Sequence, residues 1–187
     1  IKVPFGYKVT LYDNDNFGGE SMVVTSDTNW IGTAFNDRVS SIKVEKARYK
    51  IVNKHSGLCL DVAGANKASG TNVQQFQANG NVAQEWEVDF NSDDSTYILK
   101  SALTGKALDM GGWSKDNGGN AIIWDNNKTD NQRWYITVVD GEYSFLINKN
   151  SNKALEVEGW STSNRGNVQQ WDYFAQANQQ WKFVLAN

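Results

Sequence analysis

The segment Ala107-Leu108-Asp109-Met110-Gly111-Gly112-Trp113 decides the fold, because the chain repeats its pattern once earlier and once later. The equivalent segments begin Cys59-Leu60-Asp61-Val62 and Ala154-Leu155-Glu156-Val157. A Gln-x-Trp triplet follows in each copy, and the triplets end at Trp86, Trp134 and Trp181. The first two of these tryptophans are 48 residues apart and the last two 47, and the acidic residues keep the same spacing. Markers that share one spacing indicate a threefold internal repeat from about residue 47 onward.

Each repeat is predicted to form four short strands, because turn clusters rich in Gly and Asn separate its apolar runs. In the first repeat we expect strands at residues 49–53, 59–62, 72–77 and 85–90. No stretch shows a sustained helical period. Twelve short strands with threefold symmetry predict an all-β fold, a closed barrel capped by hairpins called a β-trefoil, which leaves no strand edge unpaired. We assign residues 47–187 to it.

Composition limits the classes of function. The 187 residues are 40% hydrophobic and 12% aromatic with eight tryptophans, enough to build a core and leave aromatic side chains for binding. The formal net charge is −3 and no basic stretch occurs, so nucleic acid and anionic membranes are poor partners. No apolar run approaches the roughly 18 residues of a membrane span.

The chain has one cysteine and one histidine. Cys59 lies in an apolar run, which predicts a buried packing thiol and not a reactive one. A single cysteine also excludes an intrachain disulfide. His55 lies in the turn Asn53-Lys54-His55-Ser56-Gly57 and is predicted to be a surface residue, because the sequence marks no partner to position it for catalysis.

Residues 1–46 lie outside the repeat and have their own strand pattern. Alternation predicts strands at residues 7–12 and 20–25, separated by the turn-rich segment 13–19, and a third strand follows the turn at Asn36-Asp37. The aromatic and glycine spacing Tyr12, Phe17, Gly19 and the run Asn36-Asp37-Arg38-Val39-Ser40-Ser41 match two signatures of one family. Through them this region resembles a βγ-crystallin Greek-key motif.

That resemblance implies a calcium site. Calcium takes about six to eight oxygen ligands from carboxylate, hydroxyl and carbonyl groups. The implied ligands are side-chain oxygens of Asp37 and Ser40 and carbonyl oxygens of Asn36, Arg38 and the hairpin near Glu20. The alternative is that Asn36-Asp37 only forms the turn and Ser40 caps it.

A crystallin domain pairs two such motifs, whereas this chain has one. The run Ile1-Lys2-Val3 repeats Ile42-Lys43-Val44, the strand that closes the motif, and this predicts that Ile1 begins in the last strand of an upstream motif. An unpaired motif exposes an apolar face, which we expect to pack on the trefoil, on a second chain or on the missing motif. The connection Lys46-Ala47-Arg48 is too short for a flexible tether.

Residues 47–187 resemble the ricin B-chain-like lectins and related carbohydrate-binding modules. The resemblance rests on the Gln-x-Trp triplets Gln84/Trp86, Gln132/Trp134 and Gln179/Trp181 and covers about three-quarters of the chain. In that family the triplet residues belong to the core, so we expect the three tryptophans to be buried. The resemblance also implies that each repeat offers a sugar an acid on its second strand, an aromatic on its third, and an Asn before the triplet Gln.

The second repeat carries this set complete, and we expect it to be the main sugar site. Its residues are Asp109, Trp124, Asn131 and Gln132, with Trp113 as a second wall. The carboxylate would accept hydrogen bonds from two ring hydroxyls, worth about 1.5–3 kcal/mol each. The aromatic ring would cover the apolar face of the sugar.

The other two repeats depart from the set. In the third, Glu replaces the Asp, and the residues are Glu156, Trp171, Asn178, Gln179 and Trp160. In the first, Asp61 and Phe76 are present, but Ala83 replaces the Asn and removes one donor. The alternative for every acid is a strand-end carboxylate that only bonds backbone amides of its own hairpin.

The sequence therefore favours non-catalytic binding of galactose-, xylose- or arabinose-containing glycans by a module of a secreted polysaccharide-acting enzyme. An enzyme is disfavoured because glycoside hydrolysis needs two carboxylates in one cleft, and Asp109 and Glu156 belong to different lobes. The other alternative is a protein-interaction module, such as a toxin subunit or a trefoil-type inhibitor.

Overall fold

A computed structural model describes residues 1–186, which form two compact units, one from Ile1 to Ala47 and one from Arg48 onward. All helical segments in this range are three-residue 3₁₀ turns, so none of them is long and apolar enough to cross a membrane. The strands are β1 Tyr7–Tyr12, β2 Ser21–Val24, β3 Ser41–Lys46, β4 Arg48–Asn53, β5 Cys59–Val62, β6 Thr71–Phe76, β7 Trp86–Asn91, β8 Thr96–Ser101, β9 Ala107–Met110, β10 Gly119–Trp124, β11 Trp134–Val138, β12 Tyr143–Asn148, β13 Ala154–Val157, β14 Val168–Trp171 and β15 Gln180–Leu185.

The first unit is a three-stranded antiparallel sheet in the order β2-β1-β3. Strand β1 has the predicted bounds, and β2 is one residue shorter at each end than predicted. The apolar residues of β1 alternate toward one face, as expected for a strand with one side buried. The core of this unit consists of Val3, Val9, Leu11, Val24 and Phe35.

Strand β3 carries apolar side chains on the same face as that core. Val44 lies opposite Val9 and Ile42 opposite Leu11, and directly paired residues project to one face. Yet Ile42 and Val44 are 53% and 62% exposed, whereas Leu11 is fully buried. The face is thus apolar across all three strands and buried only over β1 and β2.

The second unit is a β-trefoil, which confirms the predicted fold. Six strands, two from each repeat, pair in a closed cycle that forms the barrel: β4, β7, β8, β11, β12 and β15. The other six form three hairpins, β5–β6, β9–β10 and β13–β14. The predicted strands 72–77 and 85–90 are each displaced by one residue from β6 and β7.

Three asparagines join the hairpins in a closed ring. Asn72 Nδ2 donates to Asn167 Oδ1 at 3.1 Å, Asn120 Nδ2 donates to Asn72 Oδ1 at 2.8 Å, and Asn167 Nδ2 donates to Asn120 Oδ1 at 3.0 Å. The three residues occupy equivalent positions of the three repeats. The ring therefore fixes the mutual position of the third strands, whose ends carry the aromatic residues of the predicted sites.

The triplet tryptophans are the centre of the barrel core, as expected from the sequence. Trp86, Trp134 and Trp181 are fully buried. Each indole Nε1 donates to a leucine carbonyl on the second strand of its own repeat, at 3.0, 3.2 and 3.0 Å respectively. Cys59 is also buried, as predicted.

Candidate functional site

The same local structure positions the predicted sugar-binding residues in every repeat. The second strand is buried at all four positions and carries the acid at its third residue. A 3₁₀ turn follows that strand, and another precedes the fourth strand and ends on the triplet Gln. Because these turns start and stop at equivalent residues, they bring the acid, the wall residue and the Asn-Gln pair together.

In the second repeat the acid is held by the Asn-Gln pair. Asp109 is 3% exposed, and its Oδ2 accepts hydrogen bonds from Asn131 Nδ2 at 3.0 Å and from Gln132 Nε2 at 2.8 Å. Gln132 Nε2 also donates to the Asp125 carbonyl at 2.8 Å. The Thr129 hydroxyl donates to Asn131 Oδ1 at 2.8 Å, which fixes the orientation of that amide. The carboxylate is therefore oriented before any ligand arrives.

A pocket of about 280 Å³ opens above this carboxylate. Trp124 and Trp113 stand at its sides and are 42% and 53% exposed. Its lining residues are Asp109, Gly112, Trp113, Ile122, Trp124, Asn127, Thr129, Asn131 and Gln132. The pocket thus combines a few polar groups with two aromatic plates, a composition typical of ligand sites.

One oxygen of Asp109 is left for a ligand. Both hydrogen bonds from the protein end on Oδ2, and within residues 1–186 no donor is bonded to Oδ1. Burial raises the pKa of the Asp109 carboxyl above its ordinary value, while the hydrogen bonds from Gln132 and Asn131 lower it. A ligand hydroxyl that donates to Oδ1 would favour the charged form.

The residue opposite the acid distinguishes the three pockets. Asp61 lies opposite Gln74, Asp109 opposite Ile122, and Glu156 opposite Gln169. Gln74 Nε2 donates to Asp61 Oδ1 at 2.8 Å, and Gln169 Nε2 donates to Glu156 Oε1 at 3.0 Å. Ile122 has no side-chain donor, so Asp109 receives no hydrogen bond from the residue opposite it, whereas Asp61 and Glu156 do.

The third pocket is larger, about 630 Å³, and its acid accepts more hydrogen bonds from the protein. Glu156 Oε2 accepts from Asn178 Nδ2 at 3.3 Å and from Gln179 Nε2 at 3.0 Å, in addition to the bond from Gln169. Asn178 Oδ1 is buried and has no partner, because Gln176 stands where the second repeat has Thr129. Lining residues include the predicted Trp160 and Trp171 and, in addition, Phe174.

The first pocket measures about 260 Å³ and is lined by Asp61 and Phe76, as predicted. Burial raises the pKa of the Asp61 carboxyl, against the lowering effect of hydrogen bonds from Gln74 and Gln84. Ala83 and Ala65 replace the Asn and the wall tryptophan, so the pocket has one aromatic plate. Arg165, from the third repeat, adds a cation to its lining.

The acids of the second and third repeats line different pockets, as the repeat symmetry requires. Asp109 has no second carboxylate in its pocket lining. Glu156 shares its pocket with Glu158, which is exposed and accepts a hydrogen bond from Asn167 at 3.1 Å. The described residues therefore do not place Asp109 and Glu156 in one cleft.

In the first unit, Arg38 occupies the neighbourhood of the implied calcium ligands. Arg38 Nη2 lies 2.6 Å from Asp13 Oδ2 and 3.2 Å from Glu20 Oε2, and Nη1 donates to the Ala34 carbonyl at 3.0 Å. A positive charge thus already pairs with two carboxylates of the hairpin. A dication beside it would be repelled.

The remaining implied ligands make other contacts. Asn36 Nδ2 donates to Asp37 Oδ2 at 2.8 Å, and the Ser40 amide donates to the Tyr12 carbonyl at 2.9 Å. Within residues 1–186 no three His, Cys, Asp or Glu side chains are grouped closely enough to hold a metal. These contacts do not fit a preformed calcium site, and calcium binding stays a prediction from the sequence.

Sequence reasoning missed the residues opposite the acids, although a signal for them exists. Gln74, Ile122 and Gln169 each follow their acid by 13 residues, which a register assignment of the hairpins would have shown. It also missed His55, whose ring lies edge-on to Trp160 with 4.9 Å between centroids. His55 is exposed, as predicted, but it contacts a wall residue of the third pocket.

Comparison with known families matches the profile of the ricin-type β-trefoil lectin domain to residues 47–181. The match excludes nearly all of the first unit, so the crystallin-like assignment of residues 1–46 stays a prediction. Among curated proteins, none matches the chain.

Several solved structures are similar to this chain. The designed threefold symmetric protein ThreeFoil is 39% identical with a TM-score of 0.71, covering 73% of this chain and 97% of that one. The exo-β-1,3-galactanase 1,3Gal43A from Clostridium thermocellum is 31% identical with a TM-score of 0.72, over 80% of this chain but only 34% of the enzyme. A ricin B-like lectin from Macrolepiota procera, solved with lactose, shares the fold at 21% identity, with a TM-score of 0.62 over 73% of this chain and 93% of the lectin.

Proposed function

Since the chain belongs to the ricin-type β-trefoil lectin family, we propose that it binds glycans without catalysing their conversion, and that the pocket of the second repeat is its main site. The main support for the proposal is the environment of the Asp109 carboxylate. Its carboxylate is buried and oriented, yet Oδ1 is free beside the exposed ring of Trp124. A free acceptor next to an aromatic plate suits a sugar, which has vicinal hydroxyls on its rim and a C–H face.

We favour galactose-containing glycans over xylose- or arabinose-containing ones. The galactanase acts on a β-1,3-galactan, and the Macrolepiota procera lectin was solved with lactose. Galactose also has an apolar face formed by consecutive C–H groups, which suits stacking on Trp124. A neighbouring hydroxyl would donate to Asp109 Oδ1.

The third pocket is a second site in this proposal. Its lining includes Glu156 and Asn178, the counterparts of Asp109 and Asn131. Trp160 and Trp171 supply aromatic plates. Both oxygens of Glu156 already accept hydrogen bonds, so we expect weaker binding here than in the second pocket. The first pocket, with Ala83 and one aromatic residue, is expected to be the weakest.

The proposal is tested by calorimetric titration of the chain with lactose and with xylobiose. We expect lactose to bind, and Asp109→Asn and Trp124→Ala each to lower the affinity of the main site by about tenfold or more, since each removes a hydrogen-bonding charge or an aromatic plate. The matched variant Asp61→Asn, in the first repeat, should leave that affinity unchanged.

Other outcomes of the sugar titrations would favour other ligands, another pocket or another function. Binding of xylobiose and not lactose would keep the lectin function and replace the galactose preference. If the Asp109→Asn chain binds as well as the original, the second pocket is not the site. Absence of binding to any sugar on a glycan array would overturn the proposal in favour of a protein-interaction module.

We further propose that the domain serves a larger, secreted polysaccharide-acting enzyme. The support is that the chain spans about a third of the galactanase that it resembles, so such domains occur beside catalytic ones. Isolation of the native protein from culture medium, followed by sizing on a denaturing gel, tests both points. Recovery only from cells, as a chain of this length, would contradict them.

Calcium in the first unit is tested by thermal unfolding with EGTA and with added calcium. The crystallin resemblance predicts that calcium raises the melting temperature of the first unit and that EGTA lowers it, whereas the pairs of Arg38 with Asp13 and Glu20 oppose entry of the ion. Arg38→Met removes the competing charge and is the comparison variant. A rise with calcium in the original chain would establish the site implied by the crystallin resemblance.

A further inference from the structure

The wall tryptophans of the second and third pockets have an unfavourable backbone conformation. Trp113 and Trp160 have φ angles of 57° and 55°, in the left-handed region that residues with a Cβ avoid. Their side chains are 53% and 44% exposed, so burial does not hold them there. Ala65, at the equivalent position of the first repeat, has a φ angle of 51°, so this backbone conformation belongs to the turn, and the position of the tryptophan depends on the contacts of its loop.

The carbonyl of each wall tryptophan accepts a hydrogen bond from the repeat that follows. Asn150 Nδ2, in the third repeat, lies 3.2 Å from the Trp113 carbonyl oxygen. His55 Nε2, in the first repeat, lies 3.1 Å from the Trp160 carbonyl oxygen, and because a carbonyl only accepts, Nε2 carries the proton. Asn150 and His55 occupy equivalent positions in the turns after the first strands of their repeats.

A buried glutamine holds the next part of each loop. Gln170 Nε2 donates to the Ser114 and Asp116 carbonyls at 2.9 and 3.0 Å. Gln75 Nε2 does the same for Ser161 and Ser163, at 2.9 and 3.0 Å. Both glutamines are fully buried, and each comes from the same repeat as the residue that holds the tryptophan.

A glycine lies close to the amide of each of these glutamines. A Cβ at Gly119 would lie 2.7 Å from Gln170 Nε2, and one at Gly166 would lie 2.7 Å from Gln75 Nε2. A side chain at either position would therefore displace the glutamine amide from its place. The two glycines are therefore part of the arrangement that keeps the wall loops in place.

The loop of the first repeat that contains Ala65 lacks every member of this set. Ala65 replaces the tryptophan, Leu103 and Ile123 replace the two donors, and Thr71 replaces the glycine. Neither Leu103 nor Ile123 has a side-chain donor for the loop carbonyls. The four residue types thus change together, as expected if the donors and the glycine serve the tryptophan.

We infer that Asn150 with Gln170, and His55 with Gln75, are positioning residues that hold Trp113 and Trp160 as walls of the second and third pockets. In each of these two pockets the loop that carries the wall tryptophan is held by side chains of the repeat that follows it in the threefold order. The effect on sugar affinity rests on the proposed function, whereas the effect on the tryptophan does not.

The test uses ¹⁵N-labelled protein and the indole N–H signals of the wall tryptophans. In Asn150→Leu we expect the Trp113 indole to become more mobile by heteronuclear relaxation. Affinity for lactose at the second pocket should fall about threefold to tenfold, the effect of losing one neutral hydrogen bond. Asn150→His uses the donor that the third pocket has, and should retain both the rigidity and the affinity.

The threefold repeat provides the controls. Leu103→Asn, at the equivalent position facing Ala65, should change neither property, and His55→Leu should mobilise Trp160 but not Trp113. An Asn150→Leu chain with an unchanged Trp113 indole would overturn the inference. If no sugar binds the original chain, the proposed function fails, and the indole relaxation still decides the positioning role. If Asn150→Leu does not fold, His55→Leu gives the same test on Trp160.

Discussion

At the scale of single residues, the pockets differ by the side chain that faces the acid. Gln74 and Gln169 satisfy the carboxylates of the first and third repeats from within the protein. Ile122 supplies no donor to Asp109, so one oxygen of this buried carboxylate has no hydrogen bond from the residue opposite. The residue opposite the acid supplies a donor in the first and third repeats, whereas in the second repeat it leaves an oxygen of Asp109 available as an acceptor.

Ile122→Gln should therefore occupy the free oxygen of Asp109 in the second site with a side chain of the protein. The new amide would donate to Asp109 Oδ1, as Gln74 does to Asp61, and a sugar hydroxyl would have to displace it. We expect lactose affinity to fall about tenfold, because a hydrogen bond to a charged group is worth about 1.5–3 kcal/mol. Calorimetric titration measures this. Ile122→Leu is the apolar control, and equal losses in both variants would point to a steric effect.

Affinity should also fall on acidification, because protonated Asp109 loses acceptor capacity. Burial raises the pKa of this carboxyl, so the decline begins at a higher pH than for an ordinary aspartic acid and approaches about tenfold per pH unit below that pKa. The sign for stability is opposite. A raised pKa in the folded state means that the free energy of unfolding decreases as the pH rises through it, relative to Asp109→Asn.

Titrations with lactose over an acidic pH series measure the first effect, and urea unfolding of both chains measures the second. Affinity that stays constant down to the ordinary aspartic pKa of 3.8 would contradict the expected burial effect at Asp109.

At the scale of elements, the ring of Asn72, Asn120 and Asn167 joins the three hairpins. Each amide donates once and accepts once within the ring, so removal of one member leaves a donor and an acceptor without partners. Asn120→Ala is expected to lower the free energy of unfolding by about 1–3 kcal/mol. Urea denaturation measures the change.

The closed ring also predicts that the stability effects of its members are coupled. Once Asn120→Ala has opened it, Asn72→Ala has less to remove, so the double variant should lose less than the sum of the single losses. Additive losses would show that the three hydrogen bonds act independently.

Most of the architecture was predictable because the fold depends on periodic features. The spacing of Trp86, Trp134 and Trp181 revealed the repeat, and their burial followed from it. The site was predictable only in part. The contribution of Ile122 depends on strand register, and that of Asn150 on contacts between repeats, neither of which a linear reading of one repeat contains.

At the scale of the whole molecule, the trefoil has three unequal pockets, one in each repeat. The second has a free acceptor and two aromatic walls, the third has two walls and a satisfied acid, and the first has one aromatic plate. Because all three belong to one compact β-trefoil unit, a polymer bound at one pocket would present further residues to the others. Weak additional pockets then contribute through effective concentration.

Binding to a galactan should therefore exceed binding to lactose by about 10²–10⁴-fold if two pockets engage one polymer at once. Glu156→Gln with Trp171→Ala, which disables the third pocket, should leave the strongest lactose affinity unchanged and remove most of the excess on the polymer. Surface plasmon resonance on immobilised galactan, compared with calorimetry on lactose, separates the two quantities. Because the second pocket is untouched in this variant, a fall in both would indicate damage to the fold. An undiminished polymer affinity would show that the second pocket binds alone, and the third repeat would then be a structural copy.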